Sequence, residues 1–342
     1  MKAMVISRTS QLAENTNALD LVDFPKPVPS DQEVLIRVVV CGVCHTELDE
    51  IEGRTPPPSF PMVPGHQAVG KVVEVGPHVT HLKVGDRVGV AWIYSACGTC
   101  TYCQSDRENL CQQFRATGRD APGGYAEYIK VQEAFAYQIP PALSDTDAAP
   151  LLCAGAIGYR SLRLTALRNG QNLGLTGFGA SAHLVMKMVK HKFPETKVYV
   201  FARSKKEQRF ALDLGAVWSG DTNDQPPELL DAIIDTTPVW SPVVEALQRL
   251  KPGGRLVINA IRKESIDQDA LLQLNYPKHL WMEKEIKSVA NVTRKDVRDF
   301  LQLAADIPVK PHIQEYSLEQ ANQALLDLKY KHVWGAKVLR IG

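Results

Sequence analysis

The sequence predicts a two-domain α/β protein, in which a β-rich region precedes a doubly wound parallel sheet. Its 342 residues exceed the roughly 100 to 200 of one ordinary domain. The first ~150 residues carry short Val-rich runs broken by Gly and Pro, whereas strand and helix patterns alternate from Gln171 onward. One chain therefore combines two different architectures.

The first region is expected to be an antiparallel, barrel-like domain. Its clearest strand candidates are Glu33 to Val40, Ala68 to Val75 and Arg87 to Trp92. Clusters of Pro and Gly between these runs are typical of surface loops.

The second region alternates between strands and helices, as a parallel sheet covered on both faces requires. Strands are predicted at 172–176, 197–202, 231–235, 256–260 and 286–290, with helices at 181–190 and 205–214.

The tail after Thr293 is expected to return to the first region. It contains two helical patterns, near Lys295 to Ala305 and Leu318 to Leu328, and a final apolar strand at Lys337 to Ile341. The predicted domains are thus 1–152 completed by 294–342, and 153–293.

Composition excludes several classes of function. The 39 Lys and Arg residues nearly balance 38 Asp and Glu, so the net charge of +1 disfavours binding to nucleic acid or an acidic membrane. Apolar runs stay well short of the ~18 residues of a membrane span, and we expect a cytoplasmic protein. Seven cysteines in this setting favour metal binding or catalysis over disulfides.

Four of the cysteines form a compact motif. Cys97, Cys100, Cys103 and Cys111 give C-x-x-C-x-x-C, then seven residues and C, which predicts a closed structural zinc site. An iron–sulfur cluster also uses four cysteines. A zinc finger fits the spacing too, but the neutral charge and the lack of a basic recognition helix count against that nucleic-acid reading.

A second group could supply a catalytic zinc site. Two cysteines with one histidine form a known set of three ligands that leaves one open position. Cys44, His66 and Cys153 could provide it, although none of their spacings proves a site by itself.

A dinucleotide-binding turn is predicted after the strand at 172–176. Residues Gly177 to Ala182 read G-x-G-x-x-A and open a helix. The candidate contacts are Gly177, Gly179, Ala180 and Ser181, because glycines permit close approach of a pyrophosphate and the helix N-terminus attracts its charge.

These motifs together resemble the zinc-dependent alcohol dehydrogenases of the medium-chain dehydrogenase/reductase superfamily. The resemblance is carried by Cys41 to Thr46, Gly65 to Gln67 with Gly70, Gly85 to Val88, the cysteine motif and Leu152 to Gly155. It implies a GroES-like catalytic domain, a Rossmann domain and two zinc ions per chain. It also implies catalytic ligands at Cys44, His66 and Cys153, with structural zinc at the four-cysteine motif.

Three residues depart from the commoner pattern of that family. Gln67 replaces a Glu, which removes a carboxylate that can approach the metal and should leave zinc a stronger Lewis acid. Glu47 replaces the usual Asp that braces the ligand histidine. Asp49 lies where some members carry the His that ends the proton relay.

The resemblance assigns roles to further residues. It implies that Thr46 carries the hydroxyl that begins proton transfer and that Trp92 lines the substrate pocket. His45 contacts coenzyme phosphate or lies at the surface, and Cys41 is expected in the core.

Coenzyme choice depends on the end of the second Rossmann strand, where an acidic residue holds the adenosine ribose of NAD. Counting back from Leu214 to Ala216, a segment that resembles the family, places Ala202 at that position. Arg203 and Ser204 could bind a 2′-phosphate. The sequence thus favours NADP(H) over NAD(H).

The expected activity is that of a zinc-dependent alcohol dehydrogenase or aldehyde reductase acting on a small alcohol or aldehyde. The alternatives are an NAD-dependent enzyme, a polyol, formaldehyde or cinnamyl-type dehydrogenase, and a non-catalytic binding member. The resemblance to bacterial members suggests a homodimer or tetramer, with a β-edge of the Rossmann domain as a contact.

Overall fold

The computed structural model describes residues 1–13, 17–307, 311–331 and 335–342. The chain forms two compact units: Met1–Cys153 together with Val292–Gly342, and Ala154–Asn291. The first unit is β-rich and the second is α/β, so the predicted fold class is confirmed.

The secondary structure is given in chain order. The strands are β1 (Lys2–Val5), β2 (Asp20–Asp23), β3 (Glu33–Val43), β4 (Ala68–Val75), β5 (Arg87–Val90), β6 (Ile93–Ser95), β7 (Arg115–Ala116), β8 (Tyr128–Gln132), β9 (Ala136–Gln138), β10 (Asn172–Thr176), β11 (Lys197–Phe201), β12 (Trp218–Gly220), β13 (Leu230–Asp235), β14 (Leu250–Ile258), β15 (Glu285–Ser288), β16 (Ile313–Ser317) and β17 (Ala336–Arg340). The helices are α1 (His45–Ile51), α2 (Thr101–Gln104), α3 (Asp145–Pro150), α4 (Ala156–Thr165), α5 (Ala180–Lys192), α6 (Lys205–Asp213), α7 (Ser241–Gln248), α8 (Tyr276–His279), α9 (Arg294–Asp306) and α10 (Ala321–Tyr330).

The main sheet of the first unit has the strand order β16-β17-β3-β4-β5-β9, and β8 also pairs with β3. Its pairs are antiparallel apart from β16 with β17. The final strand, β17, pairs with β3, so the tail returns to this unit. Because β3 is central and largely buried, the residue that follows it, Cys44, has a fixed position.

The second unit contains a parallel sheet of order β12-β11-β10-β13-β14-β15, a doubly wound arrangement. Strand β10 is buried along its whole length, as expected for a strand covered on both faces. The carboxyl ends of β10, β11 and β13 lie at one edge, where such sheets bind ligands.

Some predicted boundaries differ from the structure. β14 begins at Leu250 rather than at Leu256, because the ladder shifts register between Leu230 and Ala232 and so accommodates the turn at Gly253. β3 continues three residues beyond Val40. Within the described residues, every helix is too short or too polar to cross a bilayer.

Candidate active site

Three distant segments bring Cys44, His66 and Cys153 together. Cys44 begins α1, His66 lies in the loop before β4, and Cys153 lies in a π-helix over Leu151–Gly155. Their ligand atoms all lie within 4.8 Å of one another. The sulfurs of Cys44 and Cys153 are 3.9 Å apart, close to the ~3.8 Å that two thiolates at ~2.3 Å from a tetrahedral zinc would show.

One carboxylate orients two of these residues. Glu47 is fully buried; its Oε2 accepts the backbone N–H of Cys44 at 2.7 Å, and its Oε1 lies 2.7 Å from Nδ1 of His66. Nε2 of His66 is therefore the nitrogen left for a metal. Within the described chain this buried Nε2 has no hydrogen-bond partner. A buried nitrogen without a partner is costly, and a metal ligand would satisfy it.

A glycine lets the chain place His66. Gly65 has φ of +97°, and a Cβ there would lie 2.3 Å from Cδ1 of Tyr125. Only glycine fits both the left-handed backbone and the close ring. The Pro-Gly-His sequence thus turns the chain against Tyr125 and directs His66 inward.

The pKa values of the two thiols move in opposite directions. The hydrogen bond with Cys153 holds the pKa of Cys44 well below its usual range. The same contact, together with burial, raises the pKa of Cys153. Burial opposes the protonated form of His66, but the Glu47 carboxylate and the Cys44 thiolate outweigh it and raise the pKa of the ring. Two sulfurs and one imidazole are a donor set that zinc accepts with an open fourth position.

The other acidic and hydroxyl groups of α1 differ in their surroundings. Oγ1 of Thr46 lies 3.6 Å from the Cys44 sulfur, while the buried Asp49 accepts a hydrogen bond from Arg54. Glu50 was not singled out from the sequence; it is buried, and neither carboxyl oxygen has a hydrogen-bond partner within the described chain. Burial and the neighbouring Glu47 charge raise its pKa. The sequence signal that points to this residue is the run of three acids within four residues of a short helix that is largely buried.

The four-cysteine motif forms a separate cluster. The sulfurs of Cys97, Cys100, Cys103 and Cys111 lie within 4.8 Å of one another, and that of Cys97 is 3.8 Å from that of Cys103. This spacing suits one tetrahedral ion. It leaves no room for a cluster in which different cysteines bind different irons.

The glycine turn lies at the carboxyl end of β10. Gly177 has φ of +77°, and its N–H donates to the carbonyl of Phe201 at 2.8 Å. Gly179 begins α5, whose first helical residues are Ala180 and Ser181. Their N–H groups belong to the helix turn that lacks intrahelical acceptors. The strand, turn and helix thus have the geometry of a pyrophosphate-binding turn.

The three candidate coenzyme residues after β11 differ in their exposure. Ala202 is buried, Arg203 is exposed, and Ser204 begins α6 without a hydrogen bond from its side chain to the helix. A guanidinium and a hydroxyl therefore accompany a helix N-terminus.

The remaining sequence-predicted residues are also placed. His45 is exposed, and Cys41 is fully buried in the core, as expected. The half-buried Trp92 packs 5.3 Å from the ring of Phe114.

Residues 30–141 match the family model described as an alcohol dehydrogenase GroES-like domain. The chain is 43% identical over 332 residues to the probable alcohol dehydrogenase AdhA of Mycobacterium tuberculosis, covering 96% of this chain and 94% of that protein. It is 32% identical over 350 residues to an alcohol dehydrogenase of Geobacillus stearothermophilus, covering both chains completely. A cinnamyl alcohol dehydrogenase structure from Sorghum bicolor superposes with a TM-score of 0.82 at 27% identity, covering 99% of this chain and 97% of that one.

Similarity over nearly the whole length thus accompanies the two ligand clusters and the two-unit fold. The chain belongs to the zinc-dependent alcohol dehydrogenases of the medium-chain dehydrogenase/reductase superfamily.

Proposed function

We propose that the protein transfers a hydride between a primary alcohol or its aldehyde and a nicotinamide coenzyme, with NADP(H) favoured over NAD(H). The convergence of Cys44, His66 and Cys153 carries this proposal. Residues 1–152, completed by 294–342, would be the catalytic domain, and residues 153–293 the coenzyme domain. A second, structural zinc would bind the four-cysteine motif.

The residues at the metal site have separate roles. When bound, zinc supplies a Lewis acid for the substrate oxygen, and the nicotinamide exchanges the hydride. Three protein donors leave one coordination position for substrate. Glu47 fixes the ring of His66 and the backbone of Cys44, and the Thr46 hydroxyl, beside the Cys44 sulfur, would hold the proton that the substrate oxygen gains or loses.

The outer end of the proton path is expected to bypass Asp49. Its carboxylate is buried and forms an ion pair with Arg54, so it is already engaged in a structural contact. We propose that the exposed His45 contacts coenzyme phosphate.

The preference for NADP(H) rests on three residues after β11. Ala202 brings no charge that would repel a 2′-phosphate, and Arg203 with Ser204 would donate charge-assisted hydrogen bonds to it at the start of α6. Arg203→Ala should raise KM for NADPH about tenfold and leave KM for NADH nearly unchanged. The control is Arg209→Ala, because Arg209 is likewise exposed but lies further along, within α6. Equal effects of Arg203→Ala on both coenzymes would remove the phosphate role.

We further propose a homo-oligomer joined through the edge of the parallel sheet. β15 is the edge strand, and all four of its residues are exposed. Large apolar side chains are exposed in this strand and in the segment of chain that precedes it; they are Leu272, Leu274, Tyr276, Trp281, Met282 and Ile286. An unpaired edge beside an apolar patch favours pairing with a second copy. Ile286→Lys should reduce the mass measured by light scattering to that of a monomer, and an unchanged mass would exclude this edge.

The thiol ligands also bear on location. None of the seven cysteines, all of which lie in the described part of the chain, forms a disulfide, as is typical of proteins in a reducing compartment. We propose a cytoplasmic protein.

Initial rates test the function directly. Zinc-loaded protein is supplied with NADPH or NADH and a panel of short aliphatic, aromatic and cinnamyl aldehydes, with polyols assayed in the oxidising direction. Faster use of NADPH with an aldehyde is the expected result. Faster use of NADH would keep the enzyme and reverse the coenzyme preference. No turnover of any substrate would favour a non-catalytic binding member.

A further inference from the structure

An ion pair is buried at the carboxyl edge of the parallel sheet. Nζ of Lys263 lies 2.5 Å from Oδ2 of Asp235, and their side chains are 8% and 0% exposed. Asp235 is the last residue of β13, and Lys263 lies in the loop after β14. Because charges are costly to bury, a pair at this depth calls for a role.

The pair holds three segments together. Lys263 Nζ also donates to the carbonyls of Thr237 at 2.8 Å and Val239 at 2.9 Å. The other oxygen of Asp235 accepts the hydroxyls of Thr176 at 2.5 Å and Thr237 at 2.7 Å. The end of β10, the turn after β13 and the loop after β14 are thus connected through two side chains.

The connected segments form one wall of the glycine turn. A Cβ on Gly177 would lie 2.8 Å from Oγ1 of Thr236 and 3.2 Å from Cγ2 of Thr237. The backbone N–H and the hydroxyl of Thr236 both donate to the carbonyl of Thr176 at 2.9 Å. A shift of residues 236–237 would therefore move Gly177 or open a gap beside it.

The loop after β14 is also connected to α5. Nδ2 of Asn259 donates to Oγ of Ser181 at 3.2 Å. Ser181 lies in the first turn of α5, so this loop, which Lys263 holds from its other end, contacts the helix N-terminus as well. The glycine turn and the first turn of α5 are thus both in contact with segments that Lys263 holds in place.

We propose that Lys263 and Asp235 are positioning residues for the dinucleotide, because they hold the wall that keeps the N–H groups of the glycine turn and of α5 directed at the pyrophosphate. Neither side chain would touch the coenzyme itself; both act on its binding by holding that wall in place. The inference rests on the proposed use of this edge for NADP(H) or NAD(H).

The test uses the full-length protein and Lys263→Met, with a control from the same two strands. Lys251 Nζ pairs with Oδ2 of Asp231 at 2.8 Å, near the opposite ends of β13 and β14. For Lys263→Met we expect Kd and KM for NADPH to rise about tenfold or more, with kcat within about threefold of wild type. Lys251→Met should leave all three constants within about twofold. Kd is measured by quenching of protein fluorescence, which requires no turnover.

A second readout separates positioning from general stability. Hydrogen exchange should speed up in residues 236–239 and 259–263 of Lys263→Met while β10 and β13 stay protected. If that variant fails to fold, the double variant Asp235→Asn with Lys263→Met replaces it, because it leaves no unpaired buried charge.

Two results would overturn the inference alone: a folded variant that binds NADPH as tightly as wild type, or equal weakening by Lys251→Met. Wild-type protein that binds neither NADPH nor NADH would instead contradict the proposed function, and the inference with it.

Discussion

The two candidate metal clusters of the first unit are assembled from the chain in opposite ways. The four-cysteine cluster takes its ligands from a single stretch between Cys97 and Cys111, whereas Cys44 and Cys153 are 109 residues apart. The first can form wherever that stretch closes around an ion. The second needs β3, the loop before β4 and the π-helix in place, and thus depends on the completed fold.

The chemical surroundings differ as well. In the four-cysteine cluster a backbone N–H, from Cys100, lowers the pKa of Cys97 to about 6, and burial raises the pKa of Cys103 to about 12. In the other cluster the main influence on each thiol is its partner thiol. A lobe built from local backbone contacts suits a structural ion, and a set of side chains braced by Glu47 suits an ion that must accept substrate.

The largest effect, and the first test of the difference between the two clusters, is expected at Cys153. Cys153→Ala should lower turnover by at least about 10³-fold, because it removes a ligand of the metal that polarises the substrate. Metal analysis should show the ion of the four-cysteine cluster retained. Cys41→Ala, a buried cysteine outside both clusters, is the control and should keep its metal count. Wild-type turnover in Cys153→Ala would refute the ligand assignment.

The second test addresses the other cluster. Cys103→Ala should lower the free energy of unfolding by on the order of 4 kcal/mol, because a structural ion contributes its binding energy to folding. Chemical denaturation and metal analysis measure both effects. A variant with full stability and a full metal count would disprove the structural site.

The third test sharpens the role of Glu47. Glu47→Gln keeps the size of the side chain but removes the charge that orients His66. Metal affinity at this cluster should fall about 10- to 100-fold, measured by competition with a chelator, while the four-cysteine cluster keeps its affinity. Equal metal affinity in wild type and variant would show that the only role of Glu47 is to cap the N-terminus of α1.

The smallest effect is expected at the contact between Glu108, which lies between Cys103 and Cys111, and Arg294 at the start of α9. The buried Glu108 accepts the backbone N–H of Arg294 at 2.6 Å and its Nε at 3.1 Å. Glu108→Gln should cost about 1 to 2 kcal/mol of unfolding free energy without loss of turnover. Glu315→Gln, in an exposed pair with Arg340, should cost less than about 0.5 kcal/mol. Equal costs would show that burial of Glu108 adds nothing.

Most of the fold follows from periodicity and glycine placement. β10 and α6 lie within a residue of their predicted limits, because each has a strong pattern bounded by turn residues. The start of β14 was predicted late, since the turn at Gly253 resembles a loop and the register shift that accommodates it depends on β13.

The ligand residues were predictable because Cys and His at fixed intervals have few other uses. Their supports were not. Asp49 meets Arg54, a residue from a Gly- and Pro-rich loop, and Lys263 meets Asp235 across 28 positions. Such pairs depend on how helices, strands and loops pack. In the sequence, a lysine or an arginine in a loop resembles any solvated charge until the backbone positions are known.

The π-helix that carries Cys153 limits how this segment can change in evolution. An α-helix turns about 100° per residue, and the wider turn over Leu151–Gly155 accommodates an additional residue between α3 and α4. Deleting one residue of this turn before Cys153 would rotate Cys153 away from Cys44, even though the cysteine itself would still be present. We therefore expect selection to keep the length of this segment together with its cysteine, so that an alignment of related chains shows substitutions here but few gaps.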